Sequence, residues 1–311
     1  MNFVQEYNKI KNIVEEDFIF LEKKISALFV DENPINKQLL DFLKAPSKRI
    51  RPLLGFLYLR CVFDNLNENQ HKALLAVELI HNATLIHDDV IDNSSKRRNQ
   101  ETLNEQFDDN LAIVAGDFLL SIALEQIIDT NSFETLGLFT TALKSACVGE
   151  INQHFNKFNL TSIGEYITKS KNKTALLFQT GILAGLILSN KKEDENLKKS
   201  ATEFSGNFGI AFQIRDDLIN ITSSDGLKPN QNDFESGIYT APIIFAMQEN
   251  SNILDKNNFP KLKETGAIEK TKDLMDNYFN KSILALKDFK PSKYKLAILE
   301  LIELLKSSIE D

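Results

Sequence analysis

The segment LIHDDVIDNSSKRR (85–98) places three carboxylates and then three cations directly after an apolar run. If that run is helical, Asp88 and Asp92 share one face because residues four apart are neighbours, and Asp89 points about 100° aside. Two carboxylates on one face can bind a hard divalent cation, which prefers oxygen ligands. Without a cation, aspartates at the C-terminal end of a helix repel one another and the helix dipole. The pattern therefore favours a Mg²⁺ site over a solvated acidic cap.

A second acidic pair, Asp216 and Asp217, follows the apolar segment FSGNFGIAFQI. Two such helix ends in one bundle predict a metal cluster held between opposing walls. Mg²⁺ keeps several waters and is commonly completed by substrate phosphates, so the implied ligand is a diphosphate. Arg97 and Arg98 could share the charge of that anion through forked hydrogen bonds.

Further cations precede other apolar helices. The segment APSKRIRP (45–52) contains Lys48, Arg49 and Arg51, and the N-terminus of a helix is a natural anion site. Lys173 stands immediately before the apolar segment TALLFQTGILAGLIL, which would direct its stem inward. Taken alone, each of these cations is more typical of a solvated surface.

Composition narrows the class of protein. The 311 residues are 42% hydrophobic and 26% charged, with a formal net charge of −8 that disfavours nonspecific nucleic-acid binding. Two cysteines, Cys61 and Cys147, are too few for a disulfide framework and are expected to be small core residues in a reducing compartment. We find no signal-peptide pattern and no run of about 18 apolar residues, so we predict a cytoplasmic protein without an integral membrane segment.

The placement of proline predicts the fold class. No proline lies between residues 53 and 228, and helix interiors exclude proline. Apolar residues recur with helical spacing, and no alternating strand pattern competes. We predict an all-α protein with a single domain, residues 1–311, in which ten or more helices surround a central apolar cavity. The periodic segments are 70–89, 107–129, 133–156, 163–189 and 195–220.

An ordered set of motifs resembles the trans-isoprenyl diphosphate synthases of the polyprenyl synthetase family, from about residue 45 to 245. The resemblance implies the isoprenoid synthase fold, a homodimer, and Mg²⁺-dependent condensation of isopentenyl diphosphate with an allylic diphosphate. The motifs are KRIRP (48–52), ELIHNATLIHDDVID (78–92), RRNQET (97–102), AGDFLL (115–120), GEINQ (149–153), KTALLF (173–178) and FGIAFQIRDDLIN (208–220).

The resemblance also implies catalytic and substrate-binding residues by position. The main Mg²⁺ ligands would be Asp88, Asp92 and Asp216, supported by Asp89 and Asp217. The allylic diphosphate would bind Arg97 and Lys173, with Thr174 and Gln213 nearby. The isopentenyl diphosphate would bind Lys48, Arg51, His81 and Arg98. Without the resemblance, His81 would be interpreted as a hydrogen-bonded core histidine.

Two departures bear on activity. Asn220 replaces the last aspartate of the second motif, and Ile238 stands where the family usually has a lysine that contacts the allylic diphosphate. Weakened activity and a noncatalytic or partner-dependent subunit therefore stay open as alternatives. Two further alternatives are a class I terpene cyclase, in which Lys48 and Arg51 would have no role, and a His-Asp phosphohydrolase that uses His87.

Product length is partly predictable from the residues just before the first motif. In the family, bulky residues there tend to block elongation, whereas this chain has Ala83 and Thr84. Small side chains leave a channel open, so we expect a linear product longer than C15. Phe118 and Phe139 are candidates for the floor of that channel.

Overall fold

A computed structural model describes residues 2–29, 33–98, 100–159, 161–222, 236–250, 253, 262 and 265–309. Within these ranges the chain forms fourteen α-helices and one two-stranded hairpin, which confirms the all-α prediction with ten or more helices. The first seven helices are α1 Phe3–Asn12, α2 Glu15–Ser26, α3 Pro34–Lys44, α4 Ile50–Arg60, α5 Glu68–Ile91, α6 Leu103–Gln106 and α7 Asp109–Ile128. The others are α8 Phe133–Phe155, α9 Ile163–Ser170, α10 Leu176–Ile187, α11 Glu195–Thr222, α12 Ala241–Glu249, α13 Ala267–Ala285 and α14 Lys293–Ser307.

Two short elements were not predicted from the sequence. A π-helical turn, Lys171–Ala175, joins α9 to α10, and the hairpin pairs β1 (Lys96–Arg97) with β2 (Gln100–Glu101) in antiparallel register. Each is too short for its residues to show a periodic pattern. Both carry cations that the sequence analysis had singled out.

Helix α5 runs through the middle of the bundle and carries the first acidic motif at its end. A capping box starts it, since the Asn67 side chain accepts from the Gln70 backbone N–H and the Gln70 side chain accepts from the Asn67 N–H, both at 2.9 Å. The helix then continues for 24 residues and packs against α4, α7 and α10. Its last turn therefore brings Asp88 and Asp92 out of the buried core.

Helix α11 carries the second acidic motif and packs against α10, α13 and the π turn. Its closest approach is at Gly209, where an added Cβ would lie 2.5 Å from the Cα of Ala175. Only glycine permits this contact without a shift of the backbone, and it fixes the position of the π turn against α11. A buried hydrophobic cluster, from Tyr7 to Leu305, joins these helices. The single domain over residues 1–311 stays a prediction.

Helix α7 has an unusual surface. It is the one helix among the described residues that is long and apolar enough to cross a membrane, and 39% of its most apolar window is buried against the rest of the protein. Its sequence contains no continuous run of about 18 apolar residues, because Asp117 interrupts the apolar stretch. Its packing against α5 accounts for the buried side, and apolar side chains also cover part of the exposed side.

The two cysteines differ in their surroundings. Cys61 is half-buried and Cys147 is exposed, and both thiols are free. The prediction that both are core residues was therefore wrong for Cys147, because α8 turns this position away from the core. Cys147 instead lines a cavity, which is described below.

Candidate active site

The last two turns of α5 form one wall of the site. Lys173 Nζ lies 2.7 Å from the Glu150 carboxylate of α8, close to both Asp88 and Asp92. Burial raises the pKa of Asp88, and Glu150 and Asp92 add to the shift although Lys173 opposes it. Burial also disfavours the charge of Lys173, but Asp88 and Glu150 outweigh that effect and raise the pKa of the amine. Three carboxylates around one lysine leave an excess of negative charge that a cation would neutralise.

Asp89 points away from that wall and holds an arginine. Its carboxylate, only 2% exposed, accepts from Arg97 Nε at 2.8 and 2.9 Å, and Arg97 Nη2 lies 2.8 Å from the same group. The short hairpin brings Arg97 back towards the end of α5, which explains the charge pattern of the segment 85–98. We infer that Asp89 positions Arg97, and that Asp88 and Asp92 remain available to a cation.

The two aspartates of α11 face different surroundings. Asp217 accepts a 2.5 Å hydrogen bond from the Tyr166 hydroxyl and a 3.0 Å bond from Gln213 Nε2. Asp216 lies 2.8 Å from Arg215 Nη1, its side chain is partly exposed, and Arg51 and Lys48 are nearby cations. Burial raises the pKa of Asp216, opposed first by Arg215. Cations therefore surround Asp216, whereas Asp217 lines the acidic cavity described below.

Three adjoining cavities connect these groups. We call the first the acidic cavity; it has a volume of about 130 Å³, and carboxylates from α5, α8 and α11 line it together with the Lys169 and Lys173 side chains. The acidic lining residues are Asp92, Glu150 and Asp217. The ends of α5 and α11 therefore meet at one cavity.

The second cavity is largely apolar, and we call it the apolar cavity. It measures about 320 Å³ and shares Glu150, Lys173 and Gln213 with the acidic cavity. The third, the polar cleft, measures about 500 Å³ and shares Gln153, Tyr166, Lys169 and Ile238 with the acidic cavity. The acidic cavity therefore lies between a polar cleft and an apolar cavity.

The predicted chain-length residues fall into two groups. Thr84 and Phe139 line the apolar cavity. Ala83 is buried in the core outside that lining, and Phe118 is 37% exposed on α7, with its ring 6.4 Å from that of Phe29. The cavity wall therefore contains Thr84 and Phe139, whereas Ala83 and Phe118 lie outside it.

The predicted basic cluster gathers at the N-terminus of α4 and the end of the hairpin. Arg51 Nε and Arg98 Nη1 are buried and have no hydrogen-bond partner within the part of the chain that the structure describes. Leaving a buried donor unpaired costs roughly 1–3 kcal/mol, more for a charged group, so these two nitrogens fit an anionic ligand. Burial and then Arg51 and Arg98 lower the pKa of His81 well below its usual value, so the imidazole is neutral at pH 7. Lys48 is exposed at the edge of this cluster.

Arg49, between two predicted ligands, has a different role. It is in the left-handed region at φ 46° and precedes α4. Its guanidinium binds the Leu43 carbonyl at 2.8 Å, Glu22 at 2.8 Å and Glu78 of α5 at 3.2 Å. Sequence analysis grouped Arg49 with the basic cluster, whereas the structure directs it into the core. There it connects α2, α4 and α5.

Several functional neighbours were missed from the sequence. Glu150 of α8 contacts Lys173, and Tyr166 of α9 contacts Asp217. Lys169 lines the acidic cavity. The only sequence signal for Glu150 was its motif, GEINQ, which gave it no role. Thr174 and Gln213, which were predicted to be near the allylic diphosphate, are joined by a 2.6 Å hydrogen bond.

The two residues that depart from the family pattern, Asn220 and Ile238, lie in different environments. Ile238 lines the acidic cavity and the polar cleft, and Asn220 is exposed at the end of α11. Lys228 and Asp233, which belong to the same segment of the motif as Ile238, lie outside the described residues.

The residues fit a divalent cation that a ligand completes. Among the residues that the structure describes, no three His, Cys, Asp or Glu side chains are close enough to form a metal site by themselves. The carboxylates instead divide between two walls, Asp88 and Asp92 on α5 and Asp217 on α11, with unneutralised charge on the α5 side. This donor set suits Mg²⁺, which accepts one or two carboxylates and completes its shell with waters and phosphate oxygens.

Comparisons with known proteins find prenyl transferases and polyprenyl synthases. A prenyl transferase from Cyanidium caldarium is 31% identical over 94% of this chain and 96% of its own. Component 2 of the heptaprenyl diphosphate synthase from Bacillus subtilis is 29% identical over 92% of this chain and 85% of its own. The crystal structure of a polyprenyl synthase from Caulobacter crescentus, complexed with calcium and isoprenyl diphosphate, superposes with a TM-score of 0.87 at 27% identity and covers 97% of both chains.

The fold and the two acidic walls define an all-α protein of the isoprenoid synthase type. The model of the Polyprenyl synthetase family matches residues 32–277, so the chain belongs to that family. The match confirms the family predicted from the ordered motifs. It gives no support to the phosphohydrolase alternative, and the His87 imidazole lies near Asp117 of α7, at 3.5 Å.

Proposed function

We propose that this protein is a Mg²⁺-dependent trans-prenyltransferase. It condenses isopentenyl diphosphate with an allylic diphosphate and releases a linear polyprenyl diphosphate. The observation that supports this most directly is the acidic cavity, where Asp92 of α5 and Asp217 of α11 line one space that adjoins the apolar cavity. A diphosphate in the acidic cavity would direct its hydrocarbon tail into the apolar one.

The two substrates bind at separate cation sets. The allylic diphosphate binds Lys173 and Arg97, which Glu150 and Asp89 hold in place. The isopentenyl diphosphate binds Lys48, Arg51, Arg98 and neutral His81, so it gives partners to the two unpaired guanidinium nitrogens. Holding both substrates in one orientation turns a bimolecular step into an effectively unimolecular one.

The reaction begins with heterolysis of the allylic C–O bond, whose electron pair leaves with the diphosphate. Asp88 and Asp92 from α5 and Asp216 and Asp217 from α11 would hold Mg²⁺, which when bound would stabilise the negative charge of the leaving diphosphate as a Lewis acid. Lys173 and Arg97 donate hydrogen bonds to the oxygens of the leaving diphosphate as negative charge develops on them. The apolar wall, including Leu177 and Phe139, excludes water that would quench the allylic cation. The double bond of isopentenyl diphosphate then attacks, and the released diphosphate takes the proton that is lost.

A long product follows from the wall of the apolar cavity. Thr84 is small and leaves room below Asp88, one helical turn away. The growing chain therefore extends past Thr84 towards Phe139, and we expect products longer than C15. The relative from Bacillus subtilis is named for a heptaprenyl product, which lies in that range.

The exposed apolar residues of α7 and α8 fit a homodimer. Leu111, Val114 and Phe118 recur at helical spacing on α7, and Val114 is 61% exposed. Val148, Ile151 and Phe155 do the same on α8, and Phe155 is 78% exposed. We propose that a second copy of the chain covers this face. Light scattering after gel filtration should give a dimer, whereas a monomer would contradict the assignment.

A partner-dependent subunit is the second candidate. Two observations favour it, namely Ile238 in the acidic cavity and a relative that is named as one component of a synthase. Such a chain would bind both diphosphates and would turn over only when its partner is added.

One assay separates these functions. Purified protein is given labelled isopentenyl diphosphate and a series of allylic primers, with and without Mg²⁺, and the products are analysed by chain length. We expect extension that needs Mg²⁺ and a primer. Binding without extension would favour the partner-dependent subunit, and hydrocarbon release would favour a terpene cyclase. A cytoplasmic location, without an integral membrane segment, stays a prediction that fractionation of cells would test.

A further inference from the structure

Lys169 lies at the boundary between the polar cleft and the acidic cavity, and it lines both. It is half-buried near the C-terminal end of α9, one residue before Ser170, the last residue of that helix. Of the residues described around the acidic cavity, Lys169 and Lys173 carry the positive charge. Of the four described residues that line both spaces, Lys169 is the one with a positively charged side chain.

The π turn accounts for the joint position of these two lysines. Lys169 belongs to α9, and Lys173 belongs to the π turn Lys171–Ala175 that continues it. Residues about one turn apart lie on the same side of a helical segment, and the two lysines are four residues apart. Gly209 lets this turn approach α11 closely, which brings both side chains to the cavity that Asp217 lines. Lys171, on the same turn, is exposed and lies outside the lining.

Lys173 alone is a poor match for a diphosphate. Its amine is paired with Glu150 at 2.7 Å, and it also interacts electrostatically with Asp88 and Asp92. On the other side of the cavity Ile238 offers no hydrogen-bond donor from its side chain. The acidic cavity therefore has three carboxylates in its lining and needs a further cation close to the ligand.

We propose that Lys169 binds the diphosphate of the allylic substrate and supplies the charge that Ile238 does not provide. The proposal rests on the proposed function and assigns one more residue to its allylic site. In this protein the cation would come from α9 and not from the segment that contains Ile238. Lys169 also lines the polar cleft, which Asp92 does not, so we expect its amine to reach the phosphate from the cleft side.

The test uses four variants of the full chain: Lys169→Met, Ile238→Lys, the double variant, and the exposed control Lys171→Met. Steady-state kinetics give KM for the allylic primer and, separately, for isopentenyl diphosphate. Calorimetry gives the affinity for inorganic pyrophosphate in Mg²⁺. We expect Lys169→Met to raise the primer KM and weaken pyrophosphate binding by about tenfold or more, which is the factor for one charge-assisted hydrogen bond. KM for isopentenyl diphosphate should change by less than about twofold.

The double variant distinguishes charge from structure. If Lys169 acts through its charge, Ile238→Lys restores pyrophosphate affinity in the Lys169→Met background, whereas a purely structural lysine would not be replaced from another segment. Equal KM values and affinities in the wild-type, Lys169→Met and Lys171→Met proteins would overturn the proposal. If the wild-type protein failed to extend any primer, the proposed function would fail. The pyrophosphate affinities would still decide whether Lys169 binds the anion.

Discussion

The guanidinium of Arg49 lies 3.2 Å from the carboxylate of Glu78, and the two side chains are only 5% and 2% exposed. This pair joins the N-terminus of α4 to the middle of α5. Lys48 and Arg51 flank Arg49 in the chain, and Asn82, which donates to Glu78 at 3.1 Å, also accepts from Arg98 at 3.4 Å. The buried pair therefore sets the positions of the cations that we assign to isopentenyl diphosphate.

We expect Arg49→Met to lower the free energy of unfolding by about 3–5 kcal/mol, because it leaves the buried charge of Glu78 uncompensated. Urea denaturation monitored by circular dichroism measures the change. The double variant Arg49→Met with Glu78→Met should recover much of the loss, since an apolar pair can replace a buried ion pair. Lys23→Met, on the surface of α2, is the control. An Arg49→Met protein as stable as this control would show that the pair contributes nothing.

The unpaired nitrogens of Arg51 and Arg98 predict a selective kinetic effect. Lysine in place of either arginine keeps the charge but loses the forked donors. We expect Arg51→Lys and Arg98→Lys to raise KM for isopentenyl diphosphate about tenfold or more, with a much smaller change in KM for the primer. Lys96→Met, on the same hairpin as Arg97, is an exposed control. Equal effects on the two KM values would contradict separate sites.

Thr84 predicts how product length can be changed. Thr84→Phe adds a ring to the wall of the apolar cavity, so elongation should stop earlier. Chromatography of the dephosphorylated products should show a shift to shorter chains with the first condensation retained. Thr202→Phe, on the exposed surface of α11, is a matched control because its hydroxyl also bonds a backbone carbonyl of its own helix. Unchanged product lengths in Thr84→Phe would exclude the cavity as the elongation channel.

The two thiols predict a footprint of the bound substrate. Burial raises the pKa of Cys61 to about 11, whereas Cys147 is exposed on the wall of the apolar cavity. At pH 8 iodoacetamide should therefore label Cys147 before Cys61, since the thiolate is the reactive form. An unreactive allylic diphosphate analogue with Mg²⁺ should slow the labelling of Cys147 several-fold, as read by peptide mass spectrometry. A Cys61→Ser variant serves to follow Cys147 alone, and equal rates with and without the analogue would place the tail elsewhere.

The sequence predicted the helices and the acidic walls because both depend on local patterns. The periodicity of 70–89 and the spacing of Asp88 and Asp92 hold within α5. The partners of those residues could not be predicted, since Glu150, Tyr166 and Lys169 reach the site only through the packing of α8, α9 and the π turn against α11. The sequence likewise could not show that Asp217 lines the acidic cavity while Asp216 pairs with Arg215.

The same distinction explains Arg49 and Cys147. Three cations in KRIR look alike in sequence, and only a left-handed backbone at Arg49 directs one of them into the core. Cys147 follows apolar neighbours, yet the face of α8 that carries it borders a cavity instead of packed side chains. Which side of a helix meets a cavity depends on the arrangement of the whole bundle.

The most direct test of the shared cavity is anomalous diffraction from crystals grown with Mn²⁺ in place of Mg²⁺ and with inorganic pyrophosphate. Peaks from Mn²⁺ are predicted between the tip of α5 at Asp88 and Asp92 and the tip of α11 at Asp216 and Asp217, with pyrophosphate bridging them beside Lys173. Mn²⁺ bound only on the outer surface, or pyrophosphate held away from either helix tip, would contradict the account.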